Sequence, residues 1–359
     1  MLRTGDGAMS SVSRTAAAWA ADGIAFGRAV LVRVSGPSAF EVGSTLLVGA
    51  DGRIAGGVSP GCAEGAAVEA VTAARLGGYR EVISLGPEED APADAPGTCG
   101  GRSDVLIEPS VPQALVASTP PADPIAVATT LPAGREFAQS AYLTVDGTGR
   151  RSCTLGDPAL DAEAAGYAIA ALRDGRSRVV DTAQRRVFIE VVNVPHLVIE
   201  GAGDIAVHLA RLAHAIGYRT TVIDARAAYA SRDRFPDADA ILVGWADELA
   251  ERASIDDSTF VAAIAHDPKH DDPAIIAALA RGAAYVGALG SRRTHAARLR
   301  RLAAAGVPSA SLARIHGPIG LALGARTAPE LAVSILAEIV RERRQSERPR
   351  AEDGTAVPA

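Results

Sequence analysis

The chain has almost no lysine: Lys269 is the single lysine among 36 basic residues, and all the others are arginine. This bias, together with abundant alanine, indicates a GC-rich coding sequence in which replaceable lysines have become arginine. A lysine retained under that pressure has a use for a compact ammonium, which the planar guanidinium of arginine does not supply. The alternative is chance, because charged residues commonly fall in loops. We treat Lys269 as a functional candidate because of the polar residues that surround it.

Other shortages exclude whole classes of protein. The formal net charge is −6, so the chain lacks the basic surface typical of nucleic-acid binders, and an anionic membrane is a poor partner. No apolar run approaches the roughly 20 residues that span a bilayer, and the first residues lack a signal-peptide core. These features predict a cytoplasmic protein that has neither nucleic acid nor membrane as a partner.

Cysteine is also scarce, with only Cys62, Cys99 and Cys153. Three cysteines are too few for a disulfide framework in a chain of 359 residues, and no Cys-x-x-Cys pair indicates a zinc site. Cys62 lies at the predicted start of a helix, where the helix dipole favours a reactive thiolate, and Cys99 lies in an equally glycine-rich turn. Both are candidate reactive thiols, with chance placement in tight turns as the alternative. Cys153 has no such setting.

From residue 196 onward, apolar strands alternate with amphipathic helices, which predicts a doubly wound, Rossmann-like parallel sheet. The predicted strands are 197–199, 220–223, 240–243, 260–265 and 284–289, and the predicted helices are 205–216, 273–281, 292–305 and 328–343.

The first half of the chain predicts a separate α/β domain with a mixed sheet. Its predicted helices are 16–22 and 62–76, and its predicted strands are 29–34, 45–48, 81–84, 104–108, 142–145 and 187–192. We therefore predict an N-terminal domain over 1–195 and a nucleotide-binding domain over 196–343. Residues 344–359 gain proline and charge, which predicts a mobile tail.

A glycine-rich turn follows the first strand of the Rossmann-like region. Gly201 would make the turn, Gly203 would let the backbone approach a pyrophosphate, and Ala206 would permit close packing of helix on strand. Asp224 ends the second strand, where an acid often binds a ribose diol. Asp204 in the first helical turn would repel a bound phosphate, so a tight turn without a ligand remains the alternative.

The polar loop after the fourth strand surrounds the single lysine. Asp272 and Pro273 form an N-cap followed by proline at the first helical position, so we interpret this pair as structural. His266, Asp267 and Lys269 are not needed for that cap and are the candidates for ligand binding. Metal binding by this loop ranks below ligand binding, because its side chains need not point the same way.

The loop after the fifth strand reaches the same edge of the sheet. Ser291 and Arg292 lie at a helix N-terminus, where free amides, a hydroxyl and a guanidinium form an anion site, with a solvated helix start as the alternative. His316 lies in a loop rich in glycine and proline that can reach this crevice. The candidate cofactor-binding residues are thus Gly201, Gly203, Ala206, Asp224, His266, Asp267, Lys269, Ser291, Arg292 and His316.

Taken together, these motifs resemble the XdhC/CoxI family of accessory proteins for molybdenum hydroxylases, across about residues 17–343. The resemblance departs at Pro60, where the family usually has glycine, and at Asp204, where it usually has histidine. The segments that carry it are GGVSPGCAEGAAVEA, TCGGRSDVLIEP, FIEVV followed by HLVIEGAGD, HDPKHDDPAI, YVGALGSRRTHAARLRRL and RIHGPIGLALGARTAPELAVSILAEI.

The resemblance implies a chaperone-like protein that binds molybdenum cofactor and protects it while a cysteine desulfurase supplies a terminal sulfido ligand. It then implies delivery to a xanthine- or carbon monoxide-dehydrogenase-like apoenzyme, so that the work is binding and handover rather than catalysis. Molybdenum would approach Cys62 or Cys99 only through the bound cofactor. We also expect a homodimer, with both thiols facing the carboxyl edge of the second sheet across a cleft between the domains.

Two other functions stay open. The glycine turn and Asp224 suit an NAD(P)-dependent oxidoreductase, although no Tyr-x-x-x-Lys pair can exist when Lys269 is the only lysine. Pro60 and Asp204 keep open a scaffold that has lost ligand binding.

Overall fold

The computed structural model describes residues 7–36, 38–59, 64–86, 102–116, 123–137 and 141–347. The chain divides into two compact units, one ending at Val194 and the other beginning at Pro195. Cys62, Cys99 and Pro60 lie outside the described residues, so what we predict for them stays a prediction.

The first sheet of the N-terminal unit is antiparallel and carries two helices. Its strands, in chain order, are β1 (Phe26–Ser35), β2 (Thr45–Gly49), β3 (Ile54–Gly56), β4 (Glu81–Leu85) and β5 (Arg102–Glu108). Their order across the sheet is β3-β2-β1-β5-β4. The helices are α1 (Gly7–Ala21) and α2 (Glu64–Gly77).

The second sheet of this unit is also antiparallel and carries one long helix. Its strands are β6 (Ile125–Thr130), β7 (Tyr142–Asp146), β8 (Arg151–Thr154), β9 (Arg178–Asp181) and β10 (Arg186–Val192). Their order is β8-β7-β6-β10-β9, and the helix is α3 (Pro158–Asp174).

The two sheets pack face to face, with α2 outside one and α3 outside the other. Val30, Leu106 and Phe188 meet in the apolar layer between the sheets, whereas neighbouring residues such as Leu31 and Ile189 point to the helices. This alternation follows the two-residue period of a strand, so each central strand is buried on both faces.

The sequence predicted one mixed sheet here, whereas the described residues form two antiparallel ones. The strands β3, β8 and β9 were missed because each has only three or four residues, too few to show an apolar alternation. The central strand β6 was also missed, although five of its six residues are buried. Helix α3 was missed although Asp157 caps its N-terminus and Gly175 ends it in the left-handed conformation. Its alanine-rich buried face gives a weak amphipathic pattern.

The C-terminal unit contains a parallel sheet, and its Rossmann-like class is confirmed. Its strands are β11 (His196–Glu200), β12 (Arg219–Asp224), β13 (Ala240–Val243), β14 (Thr259–Ala263), β15 (Tyr285–Ala288) and β16 (Ile315–His316). All neighbours pair in parallel in the order β13-β12-β11-β14-β15-β16. The helices are α4 (Asp204–Ala215), α5 (Ala246–Leu249), α6 (Pro268–Ala280), α7 (Arg292–Ala304), α8 (Ser309–Leu312) and α9 (Ala328–Glu347).

Helices cover both faces of this sheet, as its apolar strands predicted. Leu197 and Ile199 pack with α4 and α9 on one face, while Val198 packs with α5 and α6 on the other. The short helices α5 and α8 were not predicted, and other details differ from the sequence expectation. The strand β16 replaces part of a predicted loop, and α9 continues to Glu347, inside the predicted tail. Residues 348–359 of that tail lie outside the described residues.

The start of α6 corrects the predicted helix cap. Asp267 is the N-cap, because its carboxylate accepts from the Lys269 amide at 2.9 Å, and Pro268 is the first helical residue. Pro273 lies inside the helix. The earlier start brings Asp271 onto the buried face, where it contacts Arg298, and this tertiary contact selects between two similar Asp-Pro caps.

Candidate functional site

The strand order of the C-terminal unit creates a crevice between β11 and β14. The chain runs outward from β11 through β12 and β13 on one side, and from β14 through β15 and β16 on the other. Ligands of open α/β sheets bind at the carboxyl ends of strands at such a switch point. A pocket of about 430 Å³ opens at this edge; its lining residues are Gly203, Asp204, Ile205, Ala206, Ile264, His266, Leu289, Gly290 and Leu331.

The two glycines of the turn after β11 have different physical roles. Gly201 has φ +98°, and a Cβ there would lie 2.4 Å from the Cα of Ala265, so packing against the end of β14 requires glycine. Gly203 is the N-cap of α4 with φ −70°, and a Cβ there would meet no atom of the described residues within 4 Å. Packing within the unit therefore does not explain Gly203, and the open space in front of it lies at a helix N-terminus.

Asp224, at the end of β12, is buried, and four donors surround its two oxygens. Oδ1 accepts from the backbone amide and Nε of Arg226, both at 2.8 Å. Oδ2 accepts from the Ala202 amide at 2.8 Å and from Nη2 of Arg226 at 2.7 Å. Burial alone would raise the pKa of Asp224, but these hydrogen bonds outweigh it and hold the pKa at about 2. Its predicted contact with a ribose stays a prediction.

Arg234 holds the same turn from its other side. Its Nη1 donates to the Ala202 carbonyl at 2.6 Å and to the Tyr229 carbonyl at 3.1 Å. The guanidinium groups of Arg226 and Arg234 lie 4.0 and 5.2 Å from the centroid of the Tyr229 ring. Both atoms of the Ala202 peptide that can form hydrogen bonds are thus engaged by side chains.

Glu200 is an acid at the end of β11 that was not among the candidates predicted from the sequence. Its side chain is 1% exposed, and in the described part of the chain neither carboxyl oxygen has a hydrogen-bond partner. Burial, followed by the neighbouring charges of Asp224 and Asp271, raises the pKa of Glu200 to about 9. His270 Nδ1 lies 3.4 Å from Glu200, and the His270 ring stacks on Trp245 with centroids 4.6 Å apart.

The polar loop after β14 divides into exposed and buried parts. His266 and Lys269 are exposed, and His266 adopts φ +60°. Asp271 is buried, accepts from the Ala265 amide at 3.1 Å and pairs with Arg298 at 3.1 Å. Burial raises the pKa of Asp271 to about 6, with Arg298 opposing that shift. Within the described ranges, Lys269 has no ion-pair or hydrogen-bond partner for its ammonium.

The loop after β15 ends in a capped helix. Ser291 is the N-cap of α7, since its hydroxyl accepts from the Thr294 amide at 3.1 Å. Arg292 follows as the first helical residue and is exposed, with no partner among the residues described. A cation at a helix N-terminus opposes the helix dipole unless an anion binds there.

His316 lies apart from the pocket. It forms part of β16 opposite Gly287, and its ring lies 4.6 Å from that of Tyr285. Its Nδ1 lies 3.9 Å from Glu338 of α9. The Tyr285 hydroxyl also donates to Glu338, at 2.6 Å, so these groups form a cluster between the sheet and α9.

Of the candidate residues, Gly203, Ala206 and His266 meet in the pocket lining. The other seven do not line it, although the first six of these lie at the carboxyl ends of neighbouring strands or just beyond: Gly201, Asp224, Asp267, Lys269, Ser291, Arg292 and His316. Sequence reasoning missed Glu200, Arg226 and Leu331. An acid closing an apolar strand and an arginine two residues after the terminal acid were the signals available for the first two.

The described part of the chain offers no group of three or more His, Cys, Asp or Glu side chains able to hold a metal ion. Among the helices described, none combines the length and apolar character needed to cross a membrane.

Comparison with known families matches both halves of the chain. The XdhC Rossmann domain matches residues 197–339, which include the glycine turn and α6. The XdhC and CoxI family matches residues 19–86 of the N-terminal unit. The chain belongs to the XdhC and CoxI family. The resemblance drawn from the motifs is therefore confirmed.

Relatives of this family member include two proteins with informative names. The chain is 31% identical over 151 residues to a probable xanthine dehydrogenase subunit of Bacillus subtilis, covering 42% of this chain and 44% of that protein. It is 39% identical over 95 residues to the molybdenum cofactor insertion chaperone PaoD of Escherichia coli, covering 26% and 30%. The matched stretches thus span less than half the length of either relative.

The fold of this family member matches a solved structure along its length. A crystal structure described as a xanthine dehydrogenase from Bacillus halodurans has a TM-score of 0.73 and 22% identity, covering 96% of this chain and 98% of that one. At this identity the likeness establishes the fold alone.

Proposed function

We propose that this member of the XdhC and CoxI family binds molybdenum cofactor as cargo and assists its sulfuration and its insertion into a molybdenum hydroxylase. The relative named as a molybdenum cofactor insertion chaperone supports this role. The observation that carries the proposal is the pocket at the switch point, where a helix N-terminus meets open space at Gly203.

The residues at this edge fit a pterin that ends in a phosphate. Gly203 leaves space for close approach, and the free amides at the start of α4 favour an anion. Lys269 and Arg292 add two exposed cations in the first turns of the neighbouring helices α6 and α7. Asp204 is the one unfavourable charge; it lies 3.9 Å from His208, one turn along α4. Binding would require its exposed carboxylate to stay clear of the phosphate.

Within this proposal, each group has a distinct role. Lys269 and Arg292 neutralise the phosphate, Gly203 admits it, and His266 contacts the ring portion in the pocket. The thiols of Cys62 and Cys99 would meet the molybdenum or its sulfur donor, since soft thiolates suit both. A cysteine desulfurase, a molybdenum hydroxylase apoenzyme, a homodimer and a cytoplasmic location belong to the same proposal.

The decisive experiment measures cargo on the native protein. The full chain is purified from a molybdenum-replete host, and pterin fluorescence after oxidation and molybdenum content are measured per protomer. We expect wild type to retain pterin and the double variant Lys269→Ala/Arg292→Ala to lose most of it. Arg211→Ala is the matched control, because Arg211 is an exposed arginine on α4 outside the pocket. Absence of pterin from wild type, with client activity unchanged on deletion of this protein, would refute the proposal.

The thiols have a separate test. Client hydroxylase activity is measured in cells that carry Cys62→Ser, Cys99→Ser or Cys153→Ser. Cys153 is a free, exposed thiol and serves as the matched control. Loss of client activity with the first two variants alone supports a role in sulfuration, and equal activity in all three removes that role while leaving cargo binding intact.

An NAD(P)-dependent oxidoreductase is the second candidate, favoured by the Rossmann strand order and the Gly-Ala-Gly turn. The four donors already on Asp224 count against it. Titration of the protein with nicotinamide cofactors separates the two functions, because a hydride-transfer enzyme must bind them and a molybdenum cofactor chaperone need not.

A further inference from the structure

The acid at the ribose position of this Rossmann sheet has no acceptor capacity left. A carboxylate offers about four lone-pair sites on its two oxygens. Asp224 receives four hydrogen bonds, three of them from Arg226 and one from the Ala202 amide, all between 2.7 and 2.8 Å. A ribose diol would therefore have to displace a donor that is already in place.

Arg226 is the donor that a ligand would have to displace, and it is held firmly. Two of its side-chain nitrogens bind Asp224 in a fork, and its guanidinium lies 4.0 Å from the centroid of the Tyr229 ring. Removing it would leave the buried carboxylate of Asp224 with only backbone donors. The remaining donor, the Ala202 amide, belongs to the turn itself and cannot leave.

We propose that Arg226 is a specificity determinant that closes the ribose subsite of this sheet. Ligands are then recognised by their phosphate at the Gly203 turn and by their ring portion, and Asp224 does not bind a nucleoside ribose. The ligand class is a phosphate ester that lacks a nucleoside at this position. A pterin that ends in a phosphate belongs to this class, and a dinucleotide such as NAD does not. This inference rests on the proposed use of the carboxyl edge as the ligand site.

The guanidinium itself does not replace the lost ribose site. Its Nε and Nη2 are committed to Asp224, and the side chain is half exposed. The pair of Asp224 and Arg226 is close to neutral, so it neither attracts a phosphate strongly nor offers an acceptor to a hydroxyl. The edge beside β12 is thus shut by a salt bridge rather than by a bulky side chain.

The experiment uses ADP and 2′-deoxy-ADP, which differ only in the hydroxyl that a free Asp224 would bind. Affinities of both are measured by titration calorimetry without divalent cations, for wild type, Arg226→Ala, and the double variant Asp224→Ala/Arg226→Ala. Arg211→Ala controls for the loss of one positive charge. The ratio of the two dissociation constants cancels the general effect of charge on anion binding.

We expect a ratio of about one in wild type and in Arg211→Ala. In Arg226→Ala the ratio should rise to about tenfold in favour of ADP, because a buried carboxylate then gains a hydroxyl donor. It should return to about one in the double variant. If Arg226→Ala does not fold, Arg226→Gln serves in its place, since glutamine cannot form the forked pair.

Three results would overturn the inference. A wild-type ratio near tenfold means that ribose reaches Asp224 with Arg226 present. A ratio near one in Arg226→Ala means that Asp224 is not the ribose acceptor. Absence of binding of either nucleotide to Arg226→Ala at millimolar concentration has the same meaning. Cargo retention by the native protein is measured separately, so the proposed function can stand or fail independently of these ratios.

Discussion

Oε1 of Glu200 lies 3.4 Å from Nδ1 of His270, and neither atom has a hydrogen-bond partner among the residues that the structure describes. Two other buried acids lie nearby, but Asp224 pairs with Arg226 and Asp271 pairs with Arg298. Glu200 is the acid of this group without a guanidinium. It therefore keeps its proton in the fold, with its pKa raised to about 9.

This protonation predicts a pH-dependent stability that Glu200→Gln should remove. Between about pH 4.5 and 9 the folded state holds one proton that the unfolded state has lost, so the free energy of unfolding falls as pH rises. The slope is up to about 1.4 kcal/mol per pH unit. Urea unfolding is measured in a Trp19→Phe background and followed by the fluorescence of Trp245. The free energy of unfolding of Glu200→Gln should rise relative to that of wild type from pH 5.5 to 8.5. Parallel pH profiles would contradict this assignment.

The two glycines of the turn should respond differently to alanine. Gly201→Ala should lower the free energy of unfolding by about 3 kcal/mol or more, because φ is positive and the Cβ overlaps Ala265. Gly203→Ala should change it by no more than about 0.5 kcal/mol. If Gly203 admits a ligand, its variant should fold normally yet lose bound pterin. Equal destabilisation by both substitutions would show that Gly203 is also needed for packing.

Lys269→Arg tests whether the single lysine has a function. The charge is kept, but the compact ammonium is replaced by a larger planar group. We expect pterin retention to fall by up to about fivefold, the range of an exposed ionic contact, with unfolding unchanged. The matched change Arg211→Lys should leave retention unaltered. Full retention of pterin by Lys269→Arg would show that the single lysine stands at this position by chance.

The buried charges of the N-terminal unit predict a large stability effect. Nε of Arg28 donates to Glu108 at 2.7 Å and Nη1 donates to Glu190 at 2.9 Å, joining the two sheets with no exposure of any partner. Arg28→Met should cost about 3 to 5 kcal/mol, because it leaves two buried carboxyl groups without their cation. Adding Glu108→Gln and Glu190→Gln should recover part of that loss, as measured by urea unfolding. No recovery would show that Arg28 acts by packing alone.

The Rossmann-like unit was predictable because its four central strands are buried on both faces and form continuous apolar runs in the sequence. The N-terminal unit was less predictable, because β8 and β9 are four-residue strands at sheet edges, too short to show an alternating pattern. Strand β16 has only two residues, too few for any periodic pattern. Short or exposed strands are held by pairing with neighbours, which a single sequence does not display.

By itself the sequence determined the family, the parallel sheet and the glycine turn, since these follow from local patterns and chain order. Tertiary structure alone decided which Asp-Pro pair begins α6, because the contact of Asp271 with Arg298 distinguishes caps that are locally equivalent. It also decided that Arg226 forms a salt bridge with Asp224, whereas Glu200 has no guanidinium partner among the described residues. Such outcomes depend on which charges meet after burial, and spacing along the chain does not specify that.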